Sequence, residues 1–168
     1  MPHDLTIRPV TRGDDEALWA LLEPAFRAAD TYAIEPDIGR DEALNYWTAP
    51  PNAAFLAHAA GAPLGTCYLR PNARGGGAHV ANAGFVTAEA ARGRGLARAM
   101  LRRVEGEARA RGFLAMQFNF VVETNAAALH IWRSEGYAEV GRLPGAFRHP
   151  RQGHVDALVM FKPLEGRA

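Results

Sequence analysis

The chain has 168 residues, of which 48% are hydrophobic and 22% are charged, and its formal net charge is +1 at pH 7. This length and composition predict one globular domain over residues 1–168, and the near-neutral charge gives no overall reason to expect binding to nucleic acid or to a membrane. Cys67 is the single cysteine, which excludes a disulfide framework and a zinc site built from several cysteines; we predict no metal site.

The N-terminal half shows alternating strand patterns and helical patterns. A strand is predicted over 5–10, and Thr11 is placed to cap a following helix with acidic residues in its first turn. A short helix is predicted over 41–47, a hairpin of two strands over 53–71, and a further strand over 79–87. The opening residues lack the basic and then apolar pattern of a secretory signal, and no apolar segment approaches the roughly 20 residues that cross a bilayer. We therefore expect a cytoplasmic protein.

The C-terminal half continues with helix and strand patterns in alternation. An amphipathic helix is predicted over about 95–111, ended by Gly112, and an apolar strand over 113–122. A helix capped by Thr124 or Asn125 follows, and then come strands over 137–143 and 154–164. Strand, helix and strand over 79–122 imply a parallel pair with a right-handed crossover. The predicted fold class is α/β (α+β): a mixed, mostly antiparallel sheet with a central parallel pair and helices on both faces.

The stretch "ARGRGLARAM" (91–100) places glycines and arginines at the start of the predicted helix. A helix N-terminus has unpaired amides and a partial positive charge that suit a phosphate. The P-loop pattern is excluded because the chain has no lysine before Lys162. The dinucleotide fingerprint also fails, because several residues separate the strand from the glycines and the third small position is Arg98.

Two motifs resemble those of the GCN5-related N-acetyltransferase (GNAT) family. Arg92, Gly95 and Ala97 match R/Q-x-x-G-x-G/A, the family's pyrophosphate loop for acetyl-CoA. About 30 residues on, the segment "NAAALHIWRSEGY" resembles the family's N-x-x-A-x-x-x-[YW] helix, with Asn125 and Trp132 at its ends. The first and last predicted strands also look like those of the family, so the resemblance covers nearly the whole chain.

The resemblance implies an acetyl-CoA-dependent N-acetyltransferase that transfers the acetyl group directly in a ternary complex. The pantetheine arm is expected to pair with the backbone of a strand, as an extended ligand does at a sheet edge, and the pyrophosphate to lie on loop amides. Asn125 is expected to contact the cofactor, cap its helix, or do both. The cofactor-binding residues implied in this way are Phe85, Val86, Thr87, Arg92, Gly93, Arg94, Gly95, Leu96, Ala97, Asn125 and Trp132.

The acceptor is predicted to be a small-molecule amine. Asn82 and Asn119 interrupt apolar strands, where Asn is disfavoured; if buried, each needs hydrogen-bond partners. They either orient the substrate as catalytic-site residues or satisfy a bulge between the parallel strands. The chain also resembles the proline-analogue (azetidine-2-carboxylate) and phosphinothricin-type acetyltransferases, which implies an amine that carries a carboxylate. Thr31 and Tyr32 are expected to line its pocket, and Arg148 or Arg151 to supply the countercharge.

Several groups are alternatives for the general acid and the general base. Trp132 stands where many family members have Tyr, and an indole has no acidic proton for a departing thiolate, so solvent or Ser134 would have to serve. A water relayed by Asn82 and the backbone is the default base. The side chains that could act instead are more typical of exposed or structural positions: Glu35, Asp37, His79, Glu123 and His130.

Two other functions compete. The same fold could acetylate a protein N-terminus or a lysine side chain. A binding module is the alternative of another class, because residues 92–111 hold seven arginines that a helix could present to RNA. No aromatic residues for base stacking are interleaved with those arginines, so we predict no nucleic-acid partner and no membrane partner. A homodimer is left open.

Overall fold

Seven strands and four α-helices make up the fold of the computed structural model, which describes residues 4–164. The predicted domain, 1–168, extends past this range, and residues 1–3 and 165–168 lie outside the described part. The elements are β1 (Thr6–Pro9), α1 (Asp15–Arg27), α2 (Arg40–Thr48), β2 (Ala53–Ala59), β3 (Ala62–Pro71), β4 (Val80–Thr87), α3 (Leu96–Ala110), β5 (Ala115–Val122), α4 (Ala126–Ser134), β6 (Ala138–His149) and β7 (Gly153–Pro163).

The strands form one sheet in the order β1-β2-β3-β4-β5-β7-β6. Only β4 and β5 pair in parallel, and α3 connects them; the other neighbours are antiparallel. The predicted fold class is therefore confirmed, including its central parallel pair. Among the described residues, no helix has both the length and the apolar character needed to cross a membrane.

The sheet has a hydrophobic core on each face. One core contains Ala81, Met116 and Phe118 together with the apolar sides of α3 and α4. The other contains Tyr68 and Val86 together with α1 and α2. Because side chains alternate along a strand, Asn82 and Gly84 of β4 point to the α1/α2 face. The predicted helices on both faces are confirmed.

The start of α1 differs from the sequence prediction by one turn. Thr11 opens a short 3-10 turn over Arg12–Asp14, and α1 begins at Asp15. The carboxylate of Asp14 accepts hydrogen bonds from the backbone amide and hydroxyl of Thr11, and it forms two further bonds with the guanidinium of Arg8 at 2.7 and 2.8 Å. Asp14 therefore joins this turn to β1.

Two groups of ionic contacts fix the direction of α3. The buried Glu105 accepts hydrogen bonds from Lys162 of β7 at 2.7 Å and from the Tyr137 hydroxyl at 3.1 Å. Arg98 and Arg102 both contact Glu135, just after α4, at 2.8 and 2.9 Å. These contacts orient the N-terminus of α3 relative to the sheet.

Candidate active site

The two parallel strands separate halfway along their length. β4 and β5 pair only at Val80 with Ala115 and at Ala81 with Met116, although β4 continues to Thr87 and β5 to Val122. On the α3/α4 face, the ring of Trp132 lies 5.1 Å from that of Phe85 and 5.0 Å from that of Phe118, so it packs against both strands. Beyond Ala81, the separation leaves one edge of β4 without a partner among the strands of residues 4–164.

The backbone of β4 presents alternate residues to this open edge. The backbone N–H of Asn72 donates a hydrogen bond to Val80 O, and that of Ala88 donates one to Leu64 O. The even-numbered residues of β4 therefore form their backbone hydrogen bonds with β3. In an antiparallel pair the residues between them turn their backbone groups the other way. Phe85 and Thr87 therefore face the open edge. Val86, expected to act with them, turns its backbone groups toward β3 and its side chain into the α1/α2 core.

The hydroxyl of Tyr32 occupies part of that edge. It donates a hydrogen bond to Phe85 O at 2.9 Å and accepts one from Phe85 N at 3.0 Å. Its ring packs edge-on against Phe26 and Trp47. Burial raises the pKa of Tyr32 well above its ordinary value, so the hydroxyl stays protonated. The preceding Thr31 is half-buried on the same segment.

The loop before α3 has the geometry of an anion-binding helix start. Gly93 and Gly95 have φ angles of 71° and 77°, in the left-handed region that favours glycine. No side chain in the described part of the chain caps the helix at Gly95. Residues 92–95 are exposed, whereas Leu96 is buried in the core. The first amides of α3 are thus free of a side-chain partner and close to solvent.

The seven arginines of residues 92–111 differ in their pairing. Arg98 also donates to the Ser134 hydroxyl at 2.8 Å, in addition to its contact with Glu135. Ion pairs to glutamate are formed by Arg98, Arg102, Arg103, Arg109 and Arg111. Within the described residues, Arg92 and Arg94 have no acidic partner. The unpaired charge is therefore concentrated at the loop, and α3 carries no continuous stripe of free arginines.

The two predicted positions on and before α4 have structural roles. Asn125, rather than Thr124, is the N-cap of α4, and its Oδ1 accepts a hydrogen bond from Ala128 N at 3.2 Å. Trp132 is 6% exposed and belongs to the core on the α3/α4 face. Asn125 thus caps its helix as one interpretation expected, and its Nδ2 has no partner among the described residues.

Asn82 lies where the parallel strands separate. It is 6% exposed, and its Nδ2 donates to Gln117 O across the gap at 2.9 Å. This bond follows directly after the last parallel pair, Ala81 with Met116. Asn82 therefore holds β4 and β5 together at the point of separation, with its side chain on the α1/α2 face.

Asn119 is exposed and forms part of a chain of amides. Its Oδ1 accepts from Gln117 Nε2 at 2.7 Å, and its Nδ2 donates to Asn72 Oδ1, just after β3, at 2.6 Å. The pairing of β5 with β7 shifts register between Phe118 and Val121. The bulge next to Asn119 therefore lies between β5 and β7 and not between the parallel strands β4 and β5. With Asn82, these side chains form what we call the amide cluster: Asn72, Asn82, Gln117 and Asn119.

Arg70 and two tyrosines next to the amide cluster were not anticipated. Arg70 of β3 is directly opposite Asn82 in register, and its Cζ lies 5.3 Å from the centre of the Tyr68 ring. Tyr46 of α2 packs edge-on against Tyr68. The only signal in the sequence is that Tyr68 and Arg70 alternate with apolar residues in "TCYLRP", which places them on one face.

The remaining candidate residues are either buried in the hydrophobic core or exposed on the surface. Cys67 is buried, and desolvation raises the pKa of its thiol to about 12, so Cys67 is a core residue. The open acid and base candidates, Glu35, Asp37, His79, Glu123 and His130, are all exposed. In residues 4–164 no three His, Cys, Asp or Glu side chains form a group that could hold a metal ion.

Known proteins match both the sequence and the fold. The model of the acetyltransferase (GNAT) family matches residues 16–137. A structure of a GCN5-related N-acetyltransferase from Kribbella flavida is 38% identical, covers 97% of this chain and 99% of that chain, and has a TM-score of 0.92. Salmonella typhimurium yncA, solved with its cofactor acetyl-CoA, is 20% identical over 98% of this chain and 96% of that one, with a TM-score of 0.85.

A curated relative is N-acetyltransferase aca1 of Schizosaccharomyces pombe, 30% identical over 97 residues. The match covers 57% of this chain and 46% of that relative, so the chain spans about half the length of that protein. The family model covers most of the chain and includes both motifs. The chain belongs to the acetyltransferase (GNAT) family, as the motifs at Arg92 and Asn125 predicted.

Proposed function

We propose that the protein transfers the acetyl group of acetyl-CoA to the amine of a small molecule, namely an amino acid or an amino-acid analogue. The observation that carries the proposal is the separation of β4 from β5 beyond Ala81, with the free amides of α3 near one end and the amide cluster beside it. Family membership supports the acetyl transfer. The polar face around Asn82 supports the acceptor class.

The cofactor would bind along the loop and the open edge of β4. The amides of residues 92–97, from Arg92 to Ala97, suit the pyrophosphate, and Arg92 and Arg94 offer unpaired charge. Arg98 contributes less, because Glu135 and Ser134 already bind its guanidinium. Phe85 and Thr87 would pair with the pantetheine arm, whereas Val86 cannot offer backbone groups there.

The chemistry needs one new bond and one broken bond. The neutral amine attacks the thioester carbonyl carbon; a C–N bond forms, the C–S bond breaks, and the electron pair leaves with sulfur. The amine loses one proton to water, and the thiolate is protonated from solvent. A backbone amide at the open edge of β4 that the pantetheine arm does not use would stabilise the developing oxyanion.

The acceptor would lie on the amide cluster. Neutral amides both donate and accept hydrogen bonds, so they can bind an amine and a carboxylate that are close together. Asn82 is committed to Gln117 O through Nδ2, but its Oδ1 accepts no hydrogen bond from the described residues. That oxygen is suited to accept from the attacking amine.

The test is a thiol-release assay with acetyl-CoA and a panel of amino acids, proline analogues, polyamines, aminoglycosides and peptides. We expect turnover of amino acids or their analogues. Asn119→Ala should lower turnover roughly ten- to hundredfold if it binds the charged acceptor, while acetyl-CoA still raises the melting temperature. Exposed Asn45→Ala on α2 is the matched control. Turnover confined to peptides would favour the protein acetyltransferase alternative, and stabilisation by RNA alone would favour the binding module.

A further inference from the structure

Arg70 lies next to the amide cluster and is a cation without an acidic partner among the described residues. Its side chain is half-buried, and no carboxylate within residues 4–164 forms an ion pair with it. The guanidinium instead stacks over Tyr68, which is itself 3% exposed and fixed edge-on against Trp47 at 4.8 Å. Arg70 is therefore held in place by a rigid aromatic ring and keeps its hydrogen-bond donors available.

The members of the amide cluster that lie next to Arg70 are neutral. Asn82 of β4 lies directly opposite Arg70. Asn72 is two residues after Arg70 in the chain and accepts a hydrogen bond from Asn119. Amides do not neutralise a guanidinium, and a planar guanidinium binds a carboxylate through two parallel hydrogen bonds. The polar surface beside the β4–β5 separation thus combines one fixed positive charge with amide donors and acceptors.

We propose that Arg70 is the residue that binds the carboxylate of the acceptor and so selects acids over their neutral amides. The proposal rests on the proposed function, because it assigns one group of the acceptor within the same site. It places the carboxylate over β3 and the amine toward Asn82 and the open edge of β4. The acceptor class that fits has its amine and carboxylate only a few bonds apart.

The arginines of the β6–β7 hairpin are less suited to this role. Arg148 and Arg151 are exposed. Phe147 and His149 are buried on either side of Arg148 in β6, so alternation turns Arg148 to the opposite face from them. Both residues are therefore good controls: they carry the same charge, and within residues 4–164 neither forms a hydrogen bond or a cation–π contact with Tyr68 or the amide cluster.

The test compares an amino acid that the protein acetylates with its carboxamide, in which only the negative charge is removed. We expect the wild-type protein to have a lower KM for the acid. Arg70→Gln should raise the KM for the acid roughly ten- to hundredfold, while the KM for the carboxamide, the KM for acetyl-CoA and the kcat at saturation change little. Arg70→Lys should keep part of the preference, and Arg148→Gln and Arg151→Gln should keep all of it.

The outcomes separate this proposal from the proposed function. If amino acids are acetylated and Arg70→Gln leaves the ratio of acid to carboxamide unchanged, Arg70 does not bind the carboxylate and the acceptor class stands. A ratio that collapses in a hairpin variant would assign the role to that arginine instead. Turnover restricted to amines without a carboxylate would overturn both. The melting temperature of each variant shows whether it is folded, and partial acid preference in Arg70→Lys shows that the charge at position 70 binds the carboxylate.

Discussion

The hydroxyl of Tyr32 bonds to both backbone groups of Phe85, at 3.0 Å to the amide and 2.9 Å to the carbonyl. A hydroxyl can do this because it donates one hydrogen bond and accepts others. The two groups of Phe85 belong to the open edge of β4, where an extended ligand would form the same two bonds. On the proposed function, Tyr32 would compete with the pantetheine arm for Phe85.

We predict that Tyr32→Phe binds acetyl-CoA more tightly. The variant keeps the ring that packs against Phe26 and Trp47 but removes two hydrogen bonds that the cofactor must replace. At about 1 kcal/mol for each bond, the dissociation constant should fall by roughly five- to thirtyfold. Isothermal titration calorimetry with acetyl-CoA measures this directly.

Tyr46→Phe is the matched control for Tyr32→Phe, because Tyr46 lies in the same aromatic group without a bond to β4. Its affinity for acetyl-CoA should equal that of the wild-type protein. Weaker binding in Tyr32→Phe would instead show that the hydroxyl contacts the bound cofactor. The competition should not depend on pH below about 10, since the pKa of Tyr32 is raised above its ordinary value.

Sequence patterns predicted the elements on either side of the site because those signals are local. The apolar periodicity of α3, the glycines before it and the alternation in β4 each act within about ten residues. The predicted strand after Gly136 ended at 143, whereas β6 continues to His149. Register shifts around Leu143 allow this extension, and a bulge of that kind follows from pairing with β7 rather than from β6 alone.

Long-range contacts could not be predicted in the same way. Tyr32 and Phe85 are 53 positions apart, and Asn72 and Asn119 are 47 apart. Asn119 had the same sequence signal as Asn82, a polar residue inside an apolar strand, yet Asn119 is exposed and only Asn82 is buried. The separation of β4 from β5 determines this difference, and it arises from the assembled sheet.

A comparison of two glycines at opposite ends of α3 tests the phosphate loop. Gly95 and Gly112 have φ angles of 77° and 81°, so valine is strained to a similar extent at both positions. Both variants should lose stability by a similar amount in urea unfolding. Only Gly95→Val should also weaken acetyl-CoA binding, by tenfold or more, because its side chain would cover the free amides. Equal affinities in the two variants would remove the loop from the cofactor site.

The contact between Arg8 and Asp14 predicts a dependence of stability on pH. The hydrogen bonds from Arg8 hold the pKa of Asp14 well below its usual value. A carboxyl with a lowered pKa in the folded state stabilises the fold above its unfolded pKa of about 3.9, and this contribution is lost as the pH falls further. Asp14→Asn should therefore lower the free energy of unfolding by about 2 kcal/mol at pH 7, with a smaller difference at pH 3.

The control for Asp14→Asn is Asp37→Asn, because Asp37 is exposed and has no hydrogen bond or ion pair within the described residues. Urea unfolding at pH 7 and pH 3 gives the two free energies for each variant. A difference between wild type and Asp14→Asn that stays constant from pH 7 to pH 3 would show that the charge of Asp14 does not contribute.

The ring of Tyr68 leaves no room for a side chain at Gly84. A substitution at Gly84 therefore tests whether the Tyr68 ring positions Arg70. A Cβ at position 84 would lie 2.4 Å from Tyr68 Cε1, closer than two carbon atoms can approach. Tyr68 is packed against Trp47, so the ring cannot turn away without moving the guanidinium that stacks on it. Gly84→Ala should therefore cost about 1–3 kcal/mol of stability and raise the KM for a carboxylate-bearing acceptor. Gly141→Ala, whose Cβ would meet Val159 at an ordinary 3.6 Å, should do neither.

A double-mutant cycle shows whether the cost of Gly84→Ala comes from this contact. In a Tyr68→Ala background the ring is absent, so Gly84→Ala should destabilise the protein much less than it does in the wild-type background. The expected coupling energy is about 1 kcal/mol or more, which exceeds the few tenths seen for independent sites. Because Tyr68→Ala also removes the support of Arg70, the preference for acid over carboxamide should already be reduced in that variant alone. Additive stabilities would mean that Gly84 and Tyr68 are not in contact, and an intact acid preference in Tyr68→Ala would mean that the ring does not position Arg70.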